Sequence, residues 1–209
     1  MRFKLIVFDM DGVIFQKSNF WFELHKALGT YDEGRELTKK YLKSDYQKLV
    51  EEVVGRLWRG KNADKYFALL DSSEYNPHAK EAIAQLHSRG YKICIITSGP
   101  SHLLERAKNE LHIDYGVSNE LIIRNNIITG EFKWPIGNDN KLPLLKDFCR
   151  KHAINLKETI AVGNDDNDIP KFRSVGYSIA FNSKCEELQQ IADVVVDSDD
   201  LAKLLPVIP

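Results

Sequence analysis

The sequence predicts an α/β fold, a mainly parallel sheet with right-handed crossovers interrupted just after its first strand by an all-helical insertion. Three observations carry this expectation. The apolar run Leu5-Ile6-Val7-Phe8 reads as a buried strand, and it is followed at once by Asp9-Met10-Asp11-Gly12-Val13. Residues from Asn19 to about Leu70 show helical spacing and no convincing strand. From Asn76-Pro77 onward, short apolar runs alternate with helical stretches.

The elements follow in order. Phe20, Trp21, Leu24 and Leu28 return at helical spacing, and a second helix from Asp45 to Trp58 carries Tyr46, Leu49, Val50, Val53 and Leu57 on one face, ending at a Gly60 stop signal. Such short one-faced helices suggest a small bundle, with Phe20, Trp21, Trp58, Tyr66 and Phe67 as its core. A helix over Lys80 to Arg89 closes at Gly90, and the strand Tyr91 to Ile96 closes at Thr97-Ser98-Gly99-Pro100. Next come a helix from about Ser101 to Leu111 and a β-hairpin of Leu121 to Ile123 with Ile127 to Thr129, which Glu131 to Trp134 would extend. Lys141 to Lys151 reads as a helix with Pro143 in its first turn, and Thr159 to Val162 as a buried strand ending at Gly163. Strands at Tyr177 to Phe181 and Val194 to Val196, with helices near Cys185 to Ile191 and Leu201 to Leu205, complete the chain.

Composition narrows the function classes. At 209 residues the chain can bury a proper core, and 43% hydrophobic against 28% charged residues argues against disorder. A net charge of −1 gives no general attraction to nucleic acid. Neither a signal peptide nor an apolar segment of membrane-spanning length is present, so the expected setting is the cytoplasm, with no membrane partner. Cys94, Cys149 and Cys185 are odd in number and unmatched in spacing, which suits small buried hydrophobes better than a disulfide framework or a zinc site. None of the six histidines makes a metal-binding pair at helical spacing, and only His102, beside Ser98-Gly99, stands near a motif.

Four polar clusters carry the chemistry: Asp9/Asp11, Ser98-Gly99, Lys141, and Gly163-Asn164-Asp165-Asp166-Asn167-Asp168. Three follow apolar strands, so a parallel sheet brings them to one edge, where open α/β folds place their sites; Lys141 could join from a helix start. Asp9 and Asp11 point the same way if strand geometry persists through Met10, close enough to share a divalent cation. Gly12 then lets the backbone turn away.

In this order, Asp9-Met10-Asp11-Gly12-Val13, Ile95-Ile96-Thr97-Ser98-Gly99, Lys141 and Val162-Gly163-Asn164-Asp165-Asp166-Asn167-Asp168 resemble the motifs of the haloacid dehalogenase (HAD) superfamily of phosphohydrolases. The segment Val54-Gly55-Arg56-Leu57-Trp58-Arg59-Gly60-Lys61 resembles its phosphoserine-phosphatase-like branch. The resemblance implies a Rossmann-like core of residues 1–15 and 76–209, with a small β-hairpin, and a helical-bundle cap over 16–75. It also implies a Mg2+-dependent phosphomonoesterase acting on a small phosphorylated metabolite, as a monomer or homodimer.

A carboxylate attacks an anionic phosphomonoester only if a cation offsets the repulsion, which explains the residue types. Asp9 is expected to be the nucleophile, and Asp11 the acid and then the base. Ser98 and the Gly99 amide would hold phosphoryl oxygens, and Lys141 would supply positive charge. The metal set implied is Asp9, Asp11 through its carbonyl, Asn164, Asp165 and Asp168, the last orienting either a water or Lys141. Asn164 stands where the family's commonest pattern has an aspartate, so either its neutral amide or Asp165 would take that role.

Arg56 and Arg59 lie where the branch keeps a carboxylate-binding arginine. The branch reads the substrate amine with an acid shortly after the first motif. Here Phe15-Gln16-Lys17-Ser18-Asn19 offers none before Glu23, which argues against L-phosphoserine. Two other readings share these motifs: phosphoryl transfer to an acceptor other than water, and a non-catalytic phosphometabolite sensor.

Overall fold

The computed structural model describes residues 2–16, 19–133, 136–137 and 141–209. Lys17, Ser18 and Trp134, which figure in the sequence reading, lie outside the described residues. A seven-stranded sheet runs in the order β4-β3-β2-β1-β5-β6-β7, with β1 Leu5–Phe8, β2 Lys92–Pro100, β3 Tyr115–Arg124, β4 Ile127–Lys133, β5 Thr159–Gly163, β6 Tyr177–Phe181 and β7 Val194–Val196. All pairings are parallel except β3 with β4.

β1 sits between β2 and β5, with Phe8 opposite both Ile95 and Val162. This register brings Asp9, the residues after Ile96 and those after Val162 to one end of the sheet. Alternate side chains fill two apolar layers. Ile6, Phe8, Ile95 and Val162 face one core, and Leu5, Val7, Ile96 and Ala161 face the other, so β1 is buried on both sides. α5 (Ala79–Ser88) and α6 (Ser101–Leu111) contribute Ile83, Leu86 and Leu104 to the first layer. α7 (Lys141–Lys151), α8 (Ile169–Phe172) and α9 (Glu186–Ile191) contribute Leu145, Phe172 and Leu188 to the second.

Between β1 and β2 stand α1 (Phe20–Ala27), α2 (Tyr31–Tyr41), α3 (Tyr46–Val50), a π-helix over Glu51–Trp58, and α4 (Asp64–Asp71). The sequence predicts one α-helix over Asp45 to Trp58, but its backbone widens to π geometry after Val50. The two chain crossings into this helical group run side by side: Phe15 bridges Tyr75, Gln16 N–H donates to Glu74 O, and Asn76 N–H donates to Ile14 O.

The hairpin is longer than the sequence suggests, because β3 pairs parallel with β2 over its first half and antiparallel with β4 over its second. Its turn uses Asn125 and Asn126 at positive φ, a conformation asparagine tolerates. That turn also grips the helical group. Gly60 N–H donates to Ile128 O, Ile128 N–H to Lys61 O, and Ala63 N–H to Asn126 O. Among the described residues no helix is long and apolar enough to cross a membrane, and Cys94, Cys149 and Cys185 are free thiols.

Candidate active site

Asp9 follows β1 and is 5% exposed; Oδ1 accepts from Met10 N–H at 2.8 Å and Oδ2 lies 2.8 Å from Lys141 Nζ. Lys141 is 2% exposed. Its ammonium also donates to Asn167 Oδ1 at 2.8 Å and Asp168 Oδ1 at 3.1 Å. Burial works against the cation, but Asp168 and Asp9 outweigh it and hold the ammonium above the ordinary lysine range. The Asp9 carboxyl is pushed up by burial, with the Asp168 charge adding and Lys141 opposing.

Asp168 is wholly buried. Oδ1 meets Lys141 and Lys171, and Oδ2 accepts from Asn164 N–H at 3.1 Å. Burial alone would raise this carboxyl; the two lysines overcome it and bring it down to about 2. Gly163 is required here, because a Cβ at that position would strike the Asp168 carboxyl group.

Asp11 sits one turn away, half-buried, with Oδ2 accepting from Phe20 N–H at 3.3 Å at the start of α1. Burial, then the charge of Asp9, pushes its carboxyl up to about 7 against that hydrogen bond. A carboxyl that titrates near neutrality suits proton transfer in both directions. Its backbone carbonyl accepts from Asn164 Nδ2 at 3.2 Å.

A profile of the haloacid dehalogenase-like hydrolases matches residues 6–173, most of the chain and all four clusters. The chain belongs to that family. It is 32% identical over 208 residues to a phosphoserine phosphatase of Archaeoglobus fulgidus, covering 98% of this chain and 60% of that one. To a phosphoserine phosphatase of Methanocaldococcus jannaschii it is 28% identical over 97% of this chain and 96% of the other. A solved phospho-aspartyl intermediate analogue of phosphoserine phosphatase superposes with a TM-score of 0.84 at 27% identity, over the full length of both chains. This HAD-like chain is therefore a phosphatase of the phosphoserine-phosphatase-like branch, and neither phosphoryl transfer nor ligand sensing is favoured.

Within the HAD frame the remaining site residues divide. Ser98 lines a small polar cavity of about 50 Å3 together with Asp9, Asp11, Thr97, Asn164 and Asp165. Its carbonyl is held by Trp21 Nε1–H at 2.7 Å and Asn119 Nδ2 at 3.2 Å. The Gly99 amide, expected to hold a phosphoryl oxygen, instead donates to Thr97 Oγ1 at 2.9 Å. Gly99 still matters sterically, since a Cβ there would lie 2.6 Å from Met10 Cε and 3.1 Å from Asp11 Oδ1.

The structure places three of the expected residues away from the small cavity. Arg56, an expected substrate ligand, is exposed and paired to Glu33 and Glu52, each at 2.6 Å, because it falls on the outer face of its helix. Arg59 lays its Cβ, Cγ and Cδ against Gly130 of the hairpin, and neither arginine lines the cavity beside the site. Asp168, expected among metal ligands, is wholly buried and does not line the small cavity; its oxygens meet Lys141, Lys171 and Asn164 N–H. Thr97 and Asn167 stand in the quoted clusters without an assigned role, and Lys171 escapes the sequence reading altogether. A lysine three residues after Asp168 on a helical turn was the available signal for Lys171.

The oxygen donors facing the small cavity include Asp9, Asp11 and Asp165, and Asn164, whose amide presents oxygen on a half-turn. Among the described residues no three histidine, cysteine, aspartate or glutamate side chains gather as a metal cluster. The carboxylates of Asp9 and Asp165, with neutral oxygens from the Asp11 carbonyl and the Asn164 amide, fit a hard cation such as Mg2+, which keeps part of its hydration.

Proposed function

We propose that this phosphatase hydrolyses the monoester of a small phosphorylated metabolite through a phosphorylated Asp9. The contact between Lys141 Nζ and Asp9 Oδ2, with Asp11 alongside, carries the reading. Asp9 attacks phosphorus as the ester P–O bond breaks, and protonated Asp11 gives its proton to the departing alkoxide. Asp11, now a carboxylate, takes a proton from the water that attacks the acyl phosphate, and inorganic phosphate leaves. Lys141 offsets charge on Asp9 and the phosphoryl oxygens, Asp168 positions Lys141, and the Ser98 hydroxyl donates to a phosphoryl oxygen.

Asp9, the Asp11 carbonyl, Asn164 and Asp165 are the residues that would hold Mg2+. When bound, the cation offsets repulsion between two anions and keeps phosphate in line with Asp9. Residues 16–75 serve as the cap, opening about the paired crossing at Phe15 and Tyr75. The setting proposed is the cytoplasm, in keeping with the free cysteines.

The test is Asp9→Asn with p-nitrophenyl phosphate and Mg2+. Phosphate release is expected to disappear, and an Asp9→Asn protein that turns over at the wild-type rate would defeat the mechanism.

A further inference from the structure

A second cavity, of about 180 Å3, lies beneath the helical group and opens on Ser98, Asp165 and Asn167 of the core. Trp21, Leu49, Val53, Val54, Trp58 and Phe132 wall it. Trp21 and Trp58 are expected to be bundle core, and Trp58 is buried, yet both face the cavity, with ring centroids 6.0 Å apart. Phe132 of the hairpin meets Trp21 edge-on at 5.4 Å.

No lysine or arginine is found among the described lining residues, and the acids there, Asp165 and Asp166, belong to the core loop at the mouth. Asp166 is paired with Lys43 at 2.9 Å. The one imidazole in the wall, His25, packs between Gly34 and Trp58, and its Nδ1 lies 2.8 Å from Thr30 Oγ1 and 3.3 Å from Trp58 Nε1. Burial pushes its pKa down to about 4, so the ring is neutral near pH 7.

We propose, building on the phosphomonoesterase reading above, that the alcohol portion of the substrate is uncharged and apolar, of the size of one aromatic ring or a branched alkyl chain. A zwitterionic amino acid brings a carboxylate that loses hydration with no cation in the described lining to meet it, and an ammonium that finds acids only at the mouth and none in the apolar wall. An apolar group loses nothing of the kind and gains contact with the tryptophans. Size agrees, since an apolar cavity of roughly 150 Å3 is enough for benzene. The phosphate would stay at the mouth, beside Ser98 and Asp9, while the alcohol enters the wall of the helical group.

Benzyl phosphate and 3-methylbutyl phosphate are esters of primary alcohols, as is L-phosphoserine, so their leaving groups are comparable. With wild-type enzyme and Mg2+, kcat/KM for these two is expected to exceed that for L-phosphoserine by about 100-fold or more. Val53→Arg, which puts a cation in the wall, should cut that ratio by about tenfold. Calorimetric binding of the three esters to Asp9→Asn gives the same ranking without turnover. Equal or better use of L-phosphoserine by the wild type overturns the inference and leaves the phosphomonoesterase standing. Hydrolysis of no ester, p-nitrophenyl phosphate included, overturns that underlying reading and the inference with it.

Discussion

Lys171 Nζ lies 2.7 Å from Asp168 Oδ1, and both side chains are fully buried. With Lys141 and Asp9 this pair completes a quartet of two cations and two anions whose charges cancel. Lys171→Met leaves that buried group one charge short and is expected to cost about 3 kcal/mol, read by urea unfolding. The double variant Lys171→Met with Asp168→Asn should recover part of the loss, and purely additive losses would show that the two residues are not coupled.

Asp11 has a carboxyl raised to about 7 by burial and by Asp9, so folding favours its neutral form. The stabilisation is fully present below the unfolded value near 4 and is lost as pH rises through about 7. Asp11→Asn mimics the neutral acid. In EDTA it should be more stable than wild type at pH 8, by no more than about 4 kcal/mol, with the gain fading toward pH 4. The same variant should lose about 100-fold or more in kcat, measured with Mg2+.

Gly163 leaves no room for a Cβ beside the Asp168 carboxyl group. Gly163→Ala should therefore displace Asp168 and, through it, Lys141, lowering kcat by roughly 100-fold while far-ultraviolet circular dichroism stays native. An alanine variant of full activity would mean that Lys141 holds its place without Asp168.

Arg56 pairs only with Glu33 and Glu52 in the described contacts, at 51% side-chain exposure. Arg56→Ala should change stability by less than about 1 kcal/mol and leave KM unchanged for every ester tested. A rise in KM confined to carboxylate-bearing esters would return Arg56 to the substrate site.

What the sequence by itself determined was local. Four- and five-residue apolar runs made β1, β5 and β6 recognisable, and the polar residues at their ends marked the edge where Asp9, Ser98 and Asn164 gather. The order of the clusters carried the family, because each is a short contiguous pattern. Tertiary structure decided the rest. Asp9 and Lys141 are 132 residues apart, and nothing around Lys141 distinguishes a buried lysine from a solvated one until α7 packs on the sheet. Helical spacing already put Val53 on the apolar face that turns inward, but whether Arg56 reaches the site depended on how the helix, π-helical after Val50, sits over the core. The apolar cavity likewise draws Trp21, Trp58 and Phe132 from three separate elements, and only their packing shows that they enclose space instead of filling it.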